Sequence, residues 1–139
     1  MADIRSAKPE VTKRSREAEL RLENCLSLCE AQPASNPGMV GDVRSRLGGA
    51  LVAVAVSDPA LDAAARQELF VEAEKLLLSG QQLMQQSSAT PPKYLRDALE
   101  RLRRLYSSWN EFAPDADRAA KAAEFREQLT DFDSASTKP

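Results

Sequence analysis

Glu72-Ala73-Glu74-Lys75-Leu76-Leu77-Leu78-Ser79-Gly80 and, earlier in the chain, Glu17-Ala18-Glu19-Leu20-Arg21-Leu22-Glu23-Asn24-Cys25 share one spacing: a small residue, a leucine a turn later, and another small residue after nearly one turn more. At the helical period Ala73, Leu77 and Gly80 fall on one face, as do Ala18, Leu22 and Cys25. Such a face suits tight packing against a neighbouring helix. A weaker copy begins at Ala122. Recurrence of one helix face along a chain reads as a stack of helices, an architecture that usually presents a binding surface rather than a catalytic centre.

Outward from these segments the chain divides into five helices. Residues 1–9 read as a flexible polar lead, and Glu10 to Ala31 as a first helix that stops at Pro33, with Cys25 and Cys29 as small buried apolar residues. Gln32 to Gly38 has loop chemistry. A second helix follows, with Val40, Val43, Leu47, Ala50, Leu51 and Val54 at helical spacing. It ends at Ser57-Asp58-Pro59, where Asp58 is expected to cap a third helix running from about Pro59 to Gln86. That helix carries Leu69, Ala73, Leu76, Leu77, Gly80, Leu83 and Met84. Ser87 to Pro92 reads as a loop, and Thr90-Pro91-Pro92 opens a fourth helix. Its stripe, Leu95, Ala98, Leu99, Leu102, Leu105, Tyr106 and Trp109, places Tyr106 and Trp109 in the core. After a break at Phe112 to Asp115, a fifth helix presents Ala119, Ala122, Phe125, Leu129 and Phe132, leaving 133–139 as a tail. The cluster Val52, Val54 and Val56 lies within a helical stripe and has no hairpin partner, so the expected fold is all-α, with the helical domain over 10–132.

Composition narrows the function. The 139 residues are 42% hydrophobic and 29% charged, as in a single globular domain. Nineteen basic and 21 acidic side chains leave a formal charge of -2, which argues against nucleic acid and anionic membranes as partners. No apolar run approaches the roughly 20 residues of a membrane span, and a cytoplasmic location is expected. Histidine is absent, removing the commonest general base and metal ligand. Two cysteines without a companion pair do not make a metal site. No cofactor, no metal and no enzymatic activity are therefore expected.

Four segments in order, Arg46 to Leu51, Ala73 to Leu78, Ala98 to Tyr106 and Lys121 to Arg126, resemble a tetratricopeptide array, more narrowly the tetratricopeptide regions of bacterial multidomain proteins, often attached to Ser/Thr protein kinases. The resemblance implies helix pairs. Leu47, Gly48 and Leu51 match the first helix of one repeat, and Ala73, Leu77 and Gly80 its second. Leu102, Tyr106 and Ala122 fit the next repeat, while Ala18, Leu22 and Cys25 fit a second helix whose first is missing. The copies are spaced more widely than the roughly 34 residues of the plain repeat, and Arg126 stands where Leu22 and Leu77 supply an apolar residue, so the last pair is expected to pack loosely.

The resemblance further implies a groove lined by the first helices of each pair. That places Asp42, Ser45, Gly49 and Val52 beside Asp97, Glu100, Arg104 and Ser107, a surface of mixed sign suited to a polar peptide or a helix of a partner protein. The same charges on the fourth helix also read as a solvated face with favourable pairs. Arg96, Arg103 and Arg104 read as a small basic patch interrupted by Asp97 and Glu100. The expected function is a non-catalytic protein–protein interaction scaffold, with self-association as a further use of its exposed faces. The alternative is a noncatalytic regulatory piece or remnant of a bacterial Ser/Thr kinase signalling protein.

Overall fold

The computed structural model describes residues 4–31 and 36–136. These form five helices, α1 (Ile4–Ala31), α2 (Pro37–Ser57), α3 (Ala63–Gln86), α4 (Pro92–Phe112) and α5 (Ala116–Ser136), and no strand occurs among the described residues. The all-α expectation holds. Most of the expected loop at Gln32 to Gly38, including Pro33 and Ser35, lies outside the described residues.

Several boundaries differ from the sequence reading. Helix α1 begins at Ile4 rather than Glu10, and α5 runs to Ser136, through part of the expected tail. Helix α2 takes in Pro37 and Gly38. Asn36 acts as its N-cap, accepting from the Gly38 amide at 2.8 Å, and Pro37 occupies the first turn, where its missing N–H costs nothing. Asp58 does not cap α3. It closes α2, its side chain accepting from the Ala60 amide (2.9 Å) and from Arg16 of α1 (3.1 Å). The cap of α3 is Asp62, which accepts from the Ala65 amide at 2.7 Å.

Arginines finish α2 and α4, neither of which ends on a glycine. Arg66 donates from Nε to the Ala55 carbonyl at 2.8 Å, satisfying the open end of α2, and Arg118 donates to the Ala113 carbonyl at 2.6 Å after α4. Both guanidinium groups also lie over aromatic rings, Arg66 on Phe112 and Arg118 on Trp109.

The helices pack as hairpins. Helix α2 lies against α3 along most of its length and against α1 on its other side; α4 rests on both α2 and α3, and α5 rests on α4. The α2–α3 seam is the tightest. A Cβ on Gly80 would stand 2.6 Å from the Gly41 carbonyl oxygen and 3.0 Å from the Ser45 amide nitrogen. A Cβ on Gly48 would meet Leu77 Cγ at 2.6 Å and the Ala73 carbonyl oxygen at 3.1 Å. Ala73, Leu77 and Gly80 are thus buried as the repeated spacing predicts, with Gly41 and Gly48 as their counterparts on α2.

The first copy of the spacing behaves differently. Ala18 and Leu22 are half-buried and Cys25 is exposed, correcting the reading of Cys25 as a buried residue; the Cys29 side chain lies outside the described residues. Among the described residues α1 packs on α2 alone of the helices.

The core runs from Leu51, Val52 and Ala55 of α2 through Phe70, Ala73 and Leu77 to Leu99, Leu102, Leu105, Tyr106 and Trp109 of α4, and ends on Ala122, Phe125 and Leu129 of α5. Tyr106 and Trp109 are core residues, as expected. Phe125 stacks on Tyr106 at 5.8 Å, so α5 is seated by its aromatic residue while Arg126 stays exposed.

The free end of α5 is tied by Arg96 of α4, whose Nε and Nη2 donate to the two oxygens of Asp133 at 2.8 and 3.1 Å. The hydrogen bond from Arg96 holds the Asp133 carboxyl below its ordinary 3.8. A carboxyl lowered on folding contributes above its unfolded pKa and loses that contribution as pH falls through the folded value. The last turn of α5 should therefore loosen as pH falls below 3.8, seen as movement of its amide resonances toward random-coil positions. In Asp133→Asn the same resonances should lose that transition; an unchanged transition would place its origin elsewhere.

Candidate functional site

Two stripes meet where α2 and α4 lie side by side. From α2 come Asp42, Ser45, Gly49 and Val52, one face at helical spacing, and the α4 residue that meets them is Arg101. Its Nη1 donates to Ser45 Oγ at 2.9 Å and stands 3.9 Å from Asp42 Oδ1. Its Cδ comes within 3.2 Å of where a Gly49 Cβ would be, so the small residues at 45 and 49 leave the channel that the long side chain fills.

Asp42 and Ser45, predicted to face a partner, are buried and engaged within the chain. Asp42 Oδ2 pairs with Arg46 Nε at 2.9 Å, and its Oδ1 is buried without a hydrogen bond. Gly49 and Val52 line an open cleft of about 200 Å³ whose other walls are Arg46, Arg101 and Arg104. Glu100 sits at the outer edge of α4, clamped by Arg103 (2.6 Å) and Arg104 (3.2 Å). Asp97 and Ser107 are half-buried on α4 and do not line the cleft.

The expected basic patch of Arg96, Arg103 and Arg104 is dispersed. Arg96 is turned to Asp133 and Arg103 to Glu100, leaving Arg104 as the member that reaches the cleft. Arg46 and Arg101, absent from the predicted site, take the places of the other two.

Electrostatically the cleft leans positive. Burial pushes the Arg101 guanidinium below its ordinary value; Asp42 and Asp97 oppose that shift, while the charges of Arg46 and Arg104 add to it. The hydrogen bond from Arg103 holds Glu100 below the usual carboxylate range, with Arg104 adding to it. Chemically this arrangement donates hydrogen bonds and accepts negative charge. The Ser45 hydroxyl accepts from a guanidinium, which does not activate it as a nucleophile. Among the described residues no group of three or more Cys, Asp or Glu side chains could hold a metal ion, and no helix is long and apolar enough to cross a membrane.

A smaller hollow of about 70 Å³ lies among Arg66, Gln67, Phe70, Trp109 and Phe112. Its polar groups are already used: Trp109 Nε1 donates to Gln67 Oε1 at 2.8 Å and Arg66 finishes α2. The α2–α4 cleft is the roomier of the two and is lined by three arginines. No family model, curated protein or solved structure matches the chain.

Proposed function

We infer that the protein is a non-catalytic, cytoplasmic interaction scaffold of tetratricopeptide type, and that its α2–α4 groove takes an acidic segment of a partner protein. The observation that carries the reading is the convergence of Arg46, Arg101 and Arg104 on a cleft floored by Gly49 and Val52. Support for the repeat architecture comes from Gly48 set against Ala73 and Leu77, and from α4 resting on both helices of the preceding hairpin.

Guanidinium forks match carboxylates in geometry. Val52 offers a small apolar contact beside the charges. Such a groove recognises by shape and charge, with charge governing encounter and selectivity.

A fluorescently labelled octaglutamate peptide should bind the protein, more weakly as salt is raised, while octalysine should not. Reversing two cleft charges in Arg46→Glu with Arg104→Glu should weaken the acidic peptide at least about tenfold in a polarisation titration. Equal binding of both peptides, or indifference to the double substitution, would remove the groove from the α2–α4 face.

A further inference from the structure

We propose that the cleft between α2 and α4 is built for a phosphomonoester, carried on a phosphorylated serine or threonine of the segment that the groove binds. The proposal rests on the groove reading and sharpens its ligand.

Asp42 is shared between Arg46 at 2.9 Å and Arg101 at 3.9 Å, and Glu100 between Arg103 at 2.6 Å and Arg104 at 3.2 Å. Four guanidinium groups thus meet two carboxylates. Asp97 acts on Arg101 only at longer range, and even counted in full it leaves the group positive. Clustered arginines repel one another, and an arriving anion relieves that repulsion.

Geometry favours phosphate over carboxylate. Three of those arginines line the cleft from two helices, and a phosphomonoester offers them three strong acceptor oxygens and a charge near -2 where a carboxylate offers two oxygens and a charge of -1. The arginines differ in freedom. Arg101, whose side chain is 23% exposed, is fixed by Ser45 at the inner wall, whereas Arg46 and Arg104, at 48% and 69%, are free to turn from their carboxylates toward a ligand.

The test compares Ac-Glu-Glu-pSer-Glu-Glu-amide with the same peptide carrying glutamate at the centre, followed by the amide resonances of Gly49 and Val52 and the Nε–H of Arg101. The phosphopeptide should shift all three at about tenfold lower concentration, and Arg46→Gln with Arg104→Gln, both on exposed side chains, should abolish that preference. Equal titrations by the two peptides would overturn the phosphate assignment and leave the acidic groove standing. Silence from both would overturn the groove as well. Inorganic phosphate that reproduces the shifts at the phosphopeptide's concentration would assign the cleft to the free ion and overturn recognition of a phosphorylated segment. A preference that survives the double substitution would overturn the role given to these arginines.

Discussion

Gly80→Leu should destabilise the protein by about 3 kcal/mol or more in urea unfolding followed by circular dichroism. Overpacking is usually relieved when a neighbouring side chain rotates away. At Gly80 the nearest neighbours are backbone atoms, the Gly41 carbonyl oxygen at 2.6 Å and the Ser45 amide nitrogen at 3.0 Å, and these move only if α2 and α3 separate. Separation would loosen the Gly48–Leu77 contact further along the seam, so the loss spreads beyond one site. Leucine is a better helix former than glycine, which offsets roughly 0.8 kcal/mol and makes the predicted net loss a strict test. Gly49→Ala is the control. There the nearest atoms are Cδ and Cγ of Arg101, at 3.2 and 3.6 Å, in a side chain able to shift, and stability should change by less than about 1 kcal/mol. Equal losses at the two glycines would mean that the helix seam is not what holds α2 to α3.

The contrast explains why some of this fold was legible in the sequence. The α4 stripe from Ala98 to Trp109 and the small face Ala73, Leu77 and Gly80 follow the helical period, so their burial could be read from spacing alone. Gly41 could not, because its importance is created by Gly80 on another helix. Phe70 continues the Ala73–Leu77–Gly80–Met84 face by one more turn, so its burial was open to the same spacing argument, but the sequence reading took the neighbouring Leu69, which is only half-buried; Trp109 stacks on Phe70 at 5.7 Å. Asp58, the expected cap of α3, is held instead at the end of α2 by the Ala60 amide and by Arg16 of α1, a residue no local pattern links to it.

The candidate site was legible to the same depth. The stripe Asp42, Ser45, Gly49 and Val52 does turn to α4, yet what it meets is Arg101, which in the sequence looks like one more charge on a solvated face. Whether such a charge is solvated or drawn inward depends on the size of the residues across the interface, here a serine and a glycine. A periodicity argument applied to one helix carries no information about the other. That is why the sequence reading named Gly49, Val52 and Arg104, which line the cleft, but treated Asp42 and Ser45 as exposed contacts when they are buried against Arg46 and Arg101.

Tyr106→Ala should cost about 3–5 kcal/mol, and Tyr106→Phe about 1–2 kcal/mol, in the same unfolding measurement. The ring is buried and stacks on Phe125, nearly parallel at 5.8 Å, which is how α4 holds α5. Its hydroxyl donates to Glu74 Oε2 of α3 at 2.8 Å, so one side chain ties three helices together. Burial, and then the bond to Glu74, push the hydroxyl above its ordinary pKa. Phenylalanine keeps the stack and loses the bond, leaving Glu74 with Lys121 at 3.9 Å as its remaining partner. Alanine removes both contacts and opens a cavity between α4 and α5. Since α5 rests on α4, the alanine variant should also lose amide protection along α5 before the rest of the chain unfolds, whereas the phenylalanine variant should unfold as one unit. Similar losses in the two variants would assign the stability to the hydrogen bond, and the role of holding α5 would pass from the aromatic stack to Leu129 and the Arg96–Asp133 tie.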